Sequence, residues 1–243
     1  AWDEAGKNGQ LGAAKPNPVN FRDLLGVNGL WGWGGQASGN LADEGWGPKR
    51  YSSLAAHARN YHSWNWDVKD PDDVPNYDAM SCGLGTAALY WLHWDQEYGG
   101  WNAANLEVEV SINFGPSSFP QSIFNDPYRA AYNYGFAFAR HFGSLHGTDL
   151  VSTLEVGNEP WIAGMGYSDP EFYSTLLMGM AKGVKDADPT MRVLPAHFSG
   201  LNDSFSRWNA SHVKFLDALN VHAYSWIQTT KGRVGVHPEH NMS

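Results

Sequence analysis

The chain has 243 residues, which is the length of one large domain or of two small ones. Hydrophobic residues make up 42% of it and charged residues 17%, so a sizeable core is expected rather than disorder. The net charge of -9 argues against a nucleic-acid partner, which needs a basic face. The sequence has no run of about 18 apolar residues, so neither a membrane span nor a membrane partner is expected.

Two tryptophans follow the first predicted strand. Residues 1–20 are rich in Gly, Asn and Pro and indicate an irregular lead-in, after which 25–30 predicts a strand. The strand runs into a glycine-rich loop with Trp31 and Trp33 at its mouth. Surface Trp clusters are frequent at binding sites. These two side chains therefore either pack on the rim of the fold or stack on sugar rings, and the sequence leaves both alternatives open.

The second predicted unit is a helix over 52–58 and a strand over 59–67. Because side chains alternate along a strand, Trp64 and Trp66 share one face of it and become candidates for substrate stacking. The stretch 67–105 is too long for one helix and two turns. It predicts an insertion that builds one wall of a cleft.

Inside this insertion, residues 86–97 predict a helix that ends at Gly99-Gly100. Alternating apolar residues over 106–114 then predict the third strand. Asn113 lies at the end of that strand, where its side chain becomes a further candidate for substrate binding.

The second half of the chain continues the alternation of helix and strand. Acidic residues followed by proline, at 126–127 and within 168–171, are typical helix starts. The predicted elements up to the fifth strand are a helix over 126–141, a strand over 151–156 and a helix that begins within 168–171 and ends at Asp188. A fifth strand over 192–198, with His197 near its tip, is followed by a helix over 207–216. A sixth strand over 218–224 comes last and is followed by Trp226.

This order predicts a parallel sheet whose strands are joined by helical crossovers. We therefore predict an α/β fold of the (β/α)8 TIM-type barrel class, with about six βα units in this chain. An open doubly wound sheet is the alternative architecture. Parallel pairing of the strand that ends at Val156 is required by both.

The segment Leu154–Trp161 carries the strongest chemical signal. It is an apolar strand that runs into Asn158-Glu159 and must stop pairing at Pro160, which has no N–H. The Asn-Glu pair is thereby placed at the carboxyl end of a strand, where barrels hold their chemistry. A carboxyl group beside the apolar ring of Trp161 has its neutral form favoured, which raises the pKa of Glu159 as a general acid requires.

Strand-Gly157-Asn158-Glu159-Pro160-Trp161 resembles the acid/base motif of retaining glycoside hydrolases of clan A, the large (β/α)8 clan. The resemblance implies that Glu159 is the proton donor and that Asn158 hydrogen-bonds the sugar 2-hydroxyl. It also implies an arginine on the second strand, for which Arg59 is the candidate and His62 the second polar choice, and a His or aromatic residue at the sixth strand. The candidate substrate-binding residues are Asn158, Arg59, His62, Trp31, Trp33, Trp64, Trp66, Asn113, Trp161, His197, His222, Tyr224 and Trp226.

Retaining hydrolysis needs a second carboxylate as nucleophile, and the resemblance implies that it ends a seventh strand. The residues after Trp226 are too few for a helix and two more βα units, and Glu239 follows the sixth strand too closely for a crossover. We therefore expect the chain to be incomplete. The nucleophile is expected on a following segment or on a companion fragment that supplies strands seven and eight.

The sequence thus predicts a retaining endo-type glycoside hydrolase that acts on a polysaccharide or oligosaccharide without a cofactor. The alternative is a catalytically inactive glycan-binding or structural barrel. The segment 237–240 contains two His and one Glu, but a proline among them is more typical of a loop than of a metal site, so no metal is expected. Sequons at Asn202, Asn209 and Asn241 are compatible with a secreted glycoprotein, and Cys82 has no partner for a disulfide.

Overall fold

The computed structural model describes residues 20–28, 48–77, 94–160, 166–196, 213–222, 226–230 and 232–235. Five strands of the described residues form one sheet in the order β1-β2-β3-β4-β5, and every adjacent pair is parallel. A sheet whose order follows the sequence is typical of a barrel, whereas a doubly wound sheet reverses its order. The strands are β1 (Gly26–Asn28), β2 (His57–Ser63), β3 (Glu107–Asn113), β4 (Thr153–Val156) and β5 (Arg192–Pro195).

The helices of the described residues are α1 (Pro48–Tyr51), α2 (Trp94–Ala103), α3 (Pro127–Phe142) and α4 (Pro170–Ala187). The two long helices begin as the sequence predicts. The Asp126 carboxylate accepts a hydrogen bond from the backbone N–H of Arg129, and the Asp169 carboxylate accepts from two N–H groups of the first turn of α4. None of these helices is both long and apolar enough to cross a membrane.

Two predicted helices are wrong in their bounds. The helix expected over 52–58 is the short α1, and β2 already begins at His57. The helix expected to end at Gly99-Gly100 instead continues through both glycines as α2. One face of α2 buries Trp94, Tyr98 and Trp101. Burying such aromatic side chains contributes about 2 kcal/mol each, which exceeds the cost of about 1 kcal/mol for each helical glycine.

The predicted sixth strand is also wrong within the described residues, because 218–222 has no regular structure. Asp217, directly before this segment, bonds the edge of β5 partly through its side chain. Its carboxylate accepts from the N–H of Val193 at 2.6 Å, and its own N–H donates to the carbonyl of Val193 at 3.0 Å. A side-chain carboxylate thus takes the N–H of Val193 where a paired strand would offer a backbone carbonyl. Two further strands, β6 (Trp226–Thr229) and β7 (Gly232–Gly235), form an antiparallel hairpin instead.

The two faces of the sheet differ in chemistry. Apolar residues of β3 and β4, such as Val110, Ile112 and Leu154, are fully buried in the hydrophobic core, which also includes residues of α3 and α4. The opposite face carries polar and charged side chains, among them Arg59 and Glu155. Strand alternation therefore separates a hydrophobic layer from a charged layer, and the charged layer leads to the carboxyl ends of the strands.

Contact between α3 and α4 depends on glycine. A Cβ atom at Gly179 would clash with the carbonyl oxygen of Tyr128, and one at Gly183 would clash with that of Tyr132. We therefore expect Gly179→Ala to lower the free energy of unfolding by about 1–3 kcal/mol, although alanine is the better helix former. Urea denaturation would measure this change.

Gly99 in α2 provides the matched control. A Cβ there would meet only Leu150 Cδ2 at 3.8 Å, which is an ordinary contact. Gly99→Ala should therefore leave stability unchanged or raise it by up to about 1 kcal/mol. Equal stability of Gly179→Ala and the parent protein would contradict the proposed close contact between the helices.

Candidate active site

Asn158 and Glu159 lie at the carboxyl end of β4, on a turn with unusual backbone angles. Gly157 has φ +87° and Glu159 has φ +46°, so both occupy the left-handed region. This region costs little for glycine but is unfavourable for glutamate. The surrounding structure therefore holds the Glu159 backbone in a strained conformation, as is common where a side chain must point in one direction.

Arg59 organises the charged face of the sheet. Its Nη2 donates to Oδ1 of Asn158 at 2.9 Å, and its Nη1 donates to Oδ1 of Asn28 at 2.9 Å. Its guanidinium also lies 4.9 Å from the centre of the Tyr61 ring. Burial alone would lower the pKa of Arg59, but the nearby charge of Glu155 raises it above its ordinary value. Arg59 is therefore a permanent cation.

Glu155 is fully buried beneath this arginine. Its Oε2 accepts from Nε of Arg59 at 2.6 Å and lies 2.5 Å from Nη2. Its Oε1 accepts from Nδ2 of Asn220 at 2.6 Å. Burial raises the pKa of the neighbouring Glu109, and the charge of Glu155 raises it further. The arginine is therefore held against the buried carboxylate of Glu155.

His222 lies between Glu155 and Glu159. Its Nδ1 lies 3.0 Å from Oε1 of Glu159, and its Nε2 lies 3.6 Å from Oε1 of Glu155. Burial alone would lower the pKa of His222, but the hydrogen bonds to both carboxylates raise it above the ordinary value of 6.5. The charged imidazolium is therefore favoured between Glu155 and Glu159.

This raised pKa predicts a pH dependence of stability. The folded protein binds the His222 proton more tightly than the unfolded chain does. The resulting stabilisation is fully present below pH 6.5 and is lost as the pH rises through the higher pKa of the folded state. We expect the free energy of unfolding of the parent protein to exceed that of His222→Gln by an amount that shrinks as pH rises. Denaturation of both proteins from about pH 5.5 to about pH 9 would measure it, and a constant difference would contradict the assignment.

These side chains open onto a cavity of about 360 Å³. Glu159 is 8% exposed and Asn158 9%, and both line this cavity. All but one of the lining residues are polar, which suits a ligand with many hydroxyl groups. The lining residues are Asn28, Arg59, Tyr61, Asn158, Glu159, Asn220, Val221 and His222.

Four of the residues predicted from the sequence come together here: Arg59, Asn158, Glu159 and His222. Four others at the site were not predicted as site residues, namely Asn28, Tyr61, Glu155 and Asn220. Tyr61 could have been found, because it follows Arg59 by two residues on the same strand and therefore shares its face. Glu155 could have been found in the same way, because it precedes Gly157 by two residues and therefore shares the face that leads into the Asn158-Glu159 turn. Asn28 and Asn220 have no pattern in the sequence that marks them.

Three predicted substrate-binding residues are wrong. His62 is 0% exposed and faces the core, with its ring nitrogens 2.6 Å from Asp67 Oδ2 and 2.6 Å from the Tyr98 hydroxyl. Trp64 and Trp66 are also buried. The strand ends at Ser63 and both lie on a single 3-10 turn, so strand alternation does not apply to them. Since Arg59 faces the site, the alternation of β2 directs His62 to the opposite side.

The other predicted residues are not part of the described cavity. Asn113 ends β3 but does not line it. Trp226 begins β6, and the role of its side chain stays a prediction. Within the described ranges, no group of three or more His, Cys, Asp or Glu side chains is placed to hold a metal. Trp31, Trp33, Trp161, His197 and Tyr224, as well as Cys82, the three sequons and the segment 237–240, lie outside the described residues.

No protein-family model and no curated protein matches this sequence. Its structure is similar to solved glycoside hydrolases of several families. The catalytic domain of family GH53 from Ignisphaera aggregans shares 16% identity and a TM-score of 0.50, and the similarity covers 84% of this chain and 59% of that domain. An exo-β-1,4-mannosidase from Opitutaceae bacterium strain TAV5 shares 15% identity and a TM-score of 0.50, with 74% of this chain and 33% of that one covered.

A family 39 glycoside hydrolase from Bacteroides cellulosilyticus WH2 matches 70% of this chain and 33% of its own, with 16% identity and a TM-score of 0.47. This chain therefore spans between about a third and three fifths of the length of the three structures. At these identities the similarity shows the fold. The parallel sheet and its helices have the architecture of TIM-barrel glycoside hydrolases.

Proposed function

We propose that this protein is a retaining endo-type glycoside hydrolase that acts on a polysaccharide, with Glu159 as general acid and base. The observation that carries the proposal is the position of Glu159. It is a nearly buried carboxyl group at the tip of a parallel strand, beside an asparagine, and it opens onto a polar cavity. The architecture shared with glycoside hydrolases supports the same reaction class.

In this reaction, Glu159 gives a proton to the glycosidic oxygen as the bond to the leaving sugar breaks. The proton has an available source, because His222 Nδ1 lies 3.0 Å from Glu159 Oε1 and the histidine is favoured in its charged form. Glu159 then takes a proton from the water that releases the product. Return of this proton from the Glu159 carboxyl group to the His222 imidazole would restore the starting state, a charged histidine beside a carboxylate, without a change in total charge.

Asn158 would orient the sugar. Its Oδ1 accepts from Arg59, which fixes the side-chain amide with its Nδ2 as the outward donor. A donor at this position can bind the 2-hydroxyl next to the reacting carbon, where hydrogen bonds strengthen in the transition state. Arg59 therefore supports catalysis indirectly by fixing the direction of Asn158.

The nucleophile is the remaining requirement, because retention needs a second carboxylate about 5–5.5 Å from the first. Among the described residues that line the cavity, Glu159 is the only carboxylate. Glu155 is nearby, but it is fully buried and bound by Arg59 and Asn220. We propose that a segment outside the described residues, or a companion fragment, supplies the nucleophile. A 2-fluoro-glycoside inhibitor should then leave Glu155 unlabelled in a peptide mass map, and a labelled Glu155 would contradict this.

The test of the function is a panel of soluble polysaccharides that includes β-glucan, galactan and xylan. We expect the protein, together with the segment or companion fragment that supplies the nucleophile, to release new reducing ends and oligosaccharides from at least one of them. Proton NMR of the first products should show the anomeric configuration of the substrate. The absence of any turnover above that of Glu159→Gln would overturn the hydrolase proposal, and inverted products would overturn the retaining mechanism.

The single carboxylate in the described cavity also favours a second candidate, a glycan-binding barrel without activity. That protein would bind the same polymers, and its affinity would not depend on the charge of Glu159. Affinity electrophoresis in gels that contain each polysaccharide separates the two cases. Retarded migration of both the parent protein and Glu159→Gln, with no reducing ends released by either, would support the binding protein.

A further inference from the structure

Glu155 has a place in the site that the proposed chemistry does not use. It lies on β4 four residues before Glu159, its exposed fraction is 0%, and it does not line the cavity. It therefore has no access to a substrate. Yet its carboxylate contacts three side chains that do line the cavity, namely Arg59, Asn220 and His222.

One branch of contacts leads from Glu155 to Asn158. Oε2 of Glu155 holds Arg59 through both Nε, at 2.6 Å, and Nη2, at 2.5 Å. The same Nη2 donates to Oδ1 of Asn158 at 2.9 Å. A guanidinium is planar and rigid, so fixing one edge against a carboxylate also fixes where its other donors point. The direction of the Asn158 amide thus depends on Glu155.

The second branch leads from Glu155 to Glu159. Oε1 of Glu155 lies 3.6 Å from Nε2 of His222, and Nδ1 on the other side of the ring lies 3.0 Å from Glu159. An anion behind Nε2 favours a proton on that nitrogen and holds the ring in one orientation. The proton on Nδ1 is then directed at Glu159.

We propose that Glu155 is the positioning residue of this site, which holds both members of the Asn158-Glu159 pair, each through one cationic side chain. Arg59 carries its influence to Asn158, and His222 carries it to Glu159. The catalytic consequence rests on the proposed hydrolase function. The dependence of Asn158 and His222 on the Glu155 charge does not, and it can be measured without a substrate.

The other charges at the site permit a matched control. Among the described residues, Glu155, Glu159 and Arg59 are the charged groups that act on His222, from β4, its following turn and β2. Glu109 on β3 is a second carboxylate beside Arg59, with Oε1 at 3.6 Å from Nε, but it is not among the groups that act on His222. Glu109→Gln therefore removes one negative charge near Arg59 and should leave both branches intact.

The first experiment is an NMR titration of the 243-residue protein with 15N-labelled histidine and asparagine side chains. In Glu155→Gln we expect a lower pKa of His222 than in the parent protein and a changed pair of side-chain amide resonances for Asn158. In Glu109→Gln both should remain as in the parent. Unchanged His222 titration and unchanged Asn158 resonances in Glu155→Gln would overturn the proposal.

If Glu155→Gln does not fold, as judged by circular dichroism, Glu155→Asp takes its place. Aspartate keeps the charge but withdraws it by one methylene group. The Asn158 amide resonances should then move while the pKa of His222 changes in the same direction as expected for Glu155→Gln, by a smaller amount. No change of either signal in a folded Glu155→Asp protein would equally overturn the proposal.

The second experiment measures hydrolysis of whichever polysaccharide the parent protein cleaves. For Glu155→Gln we expect kcat to fall by about 10- to 100-fold with little change in KM, because the acid and the orienting amide are misplaced while the cavity remains. Glu109→Gln should keep the kcat of the parent. A parent protein that cleaves nothing when the nucleophile-supplying segment or fragment is present would sink the proposed function, while the NMR result still decides the positioning role. An active parent whose kcat is unchanged by Glu155→Gln would remove the catalytic role.

Discussion

Glu159→Gln should lower kcat on the natural polysaccharide by at least about 10²-fold while leaving the fold intact. Glutamine has nearly the same shape as glutamate but cannot give a proton to the glycosidic oxygen. The Gln side-chain carbonyl could still accept from His222, so the contact at 3.0 Å need not be lost. The measurement is the rate of reducing-end release, with thermal unfolding as the check on folding.

The leaving group provides an internal control for this prediction. An aryl glycoside with an activated leaving group needs little protonation, so its glycosylation step should be slowed less by Glu159→Gln than that of the polymer. Asp73→Asn is the matched control variant, because Asp73 is an exposed carboxylate that does not line the cavity. Parent-like activity of Glu159→Gln on the polymer would refute the assignment of the acid.

Arg59→Met should lower the free energy of unfolding by about 3–5 kcal/mol at neutral pH, the range for breaking a buried ion pair by removing one partner. Methionine fills part of the arginine volume but leaves the buried carboxylate of Glu155 without its cation. Asn158 and Ser111 would lose donors at the same time. Urea denaturation of the parent and the variant gives the difference.

The pH dependence identifies the stranded charge as the cause. In Arg59→Met, the folded state should bind a proton at Glu155 more tightly than the unfolded chain does, so the stability of the variant rises relative to that of the parent as pH falls. The double variant Arg59→Met/Glu155→Gln removes both charges and should regain most of the lost stability. If the double variant is as unstable as Arg59→Met, packing rather than charge holds the site together.

Local chemistry let the sequence determine much of the fold. The starts of α3 and α4 follow from an aspartate that caps the first turn and a proline at the first position, and these contacts lie within three residues of each other. The alternation of β3 and the break after β4 are equally local. The parallel pairing of the strands follows from the alternation of strand and helix, because such connections leave few other topologies. The sequential order of the strands does not, since the same alternation also fits a doubly wound sheet, and the structure decides it.

The position of Asn158 and Glu159 at a strand tip was also predictable, since Pro160 must end the pairing. The apolar contact of Glu159 with Trp161 stays a prediction, since Trp161 lies outside the described residues. The contact that the structure does describe is with His222, which is 63 residues away in the sequence. No local pattern encodes a contact at that separation.

Only the tertiary structure decided which face of each strand belongs to the site. Alternation shows that Arg59 and His62 lie on opposite faces of β2. It does not show which of the two faces is buried, because that depends on which face the helices cover. Packing against α2 and α3 buried His62, Trp64 and Trp66 and left Arg59 on the polar face. The buried role of Glu155 was equally hidden, because a strand glutamate is ordinarily exposed and becomes buried only when distant strands supply its partners.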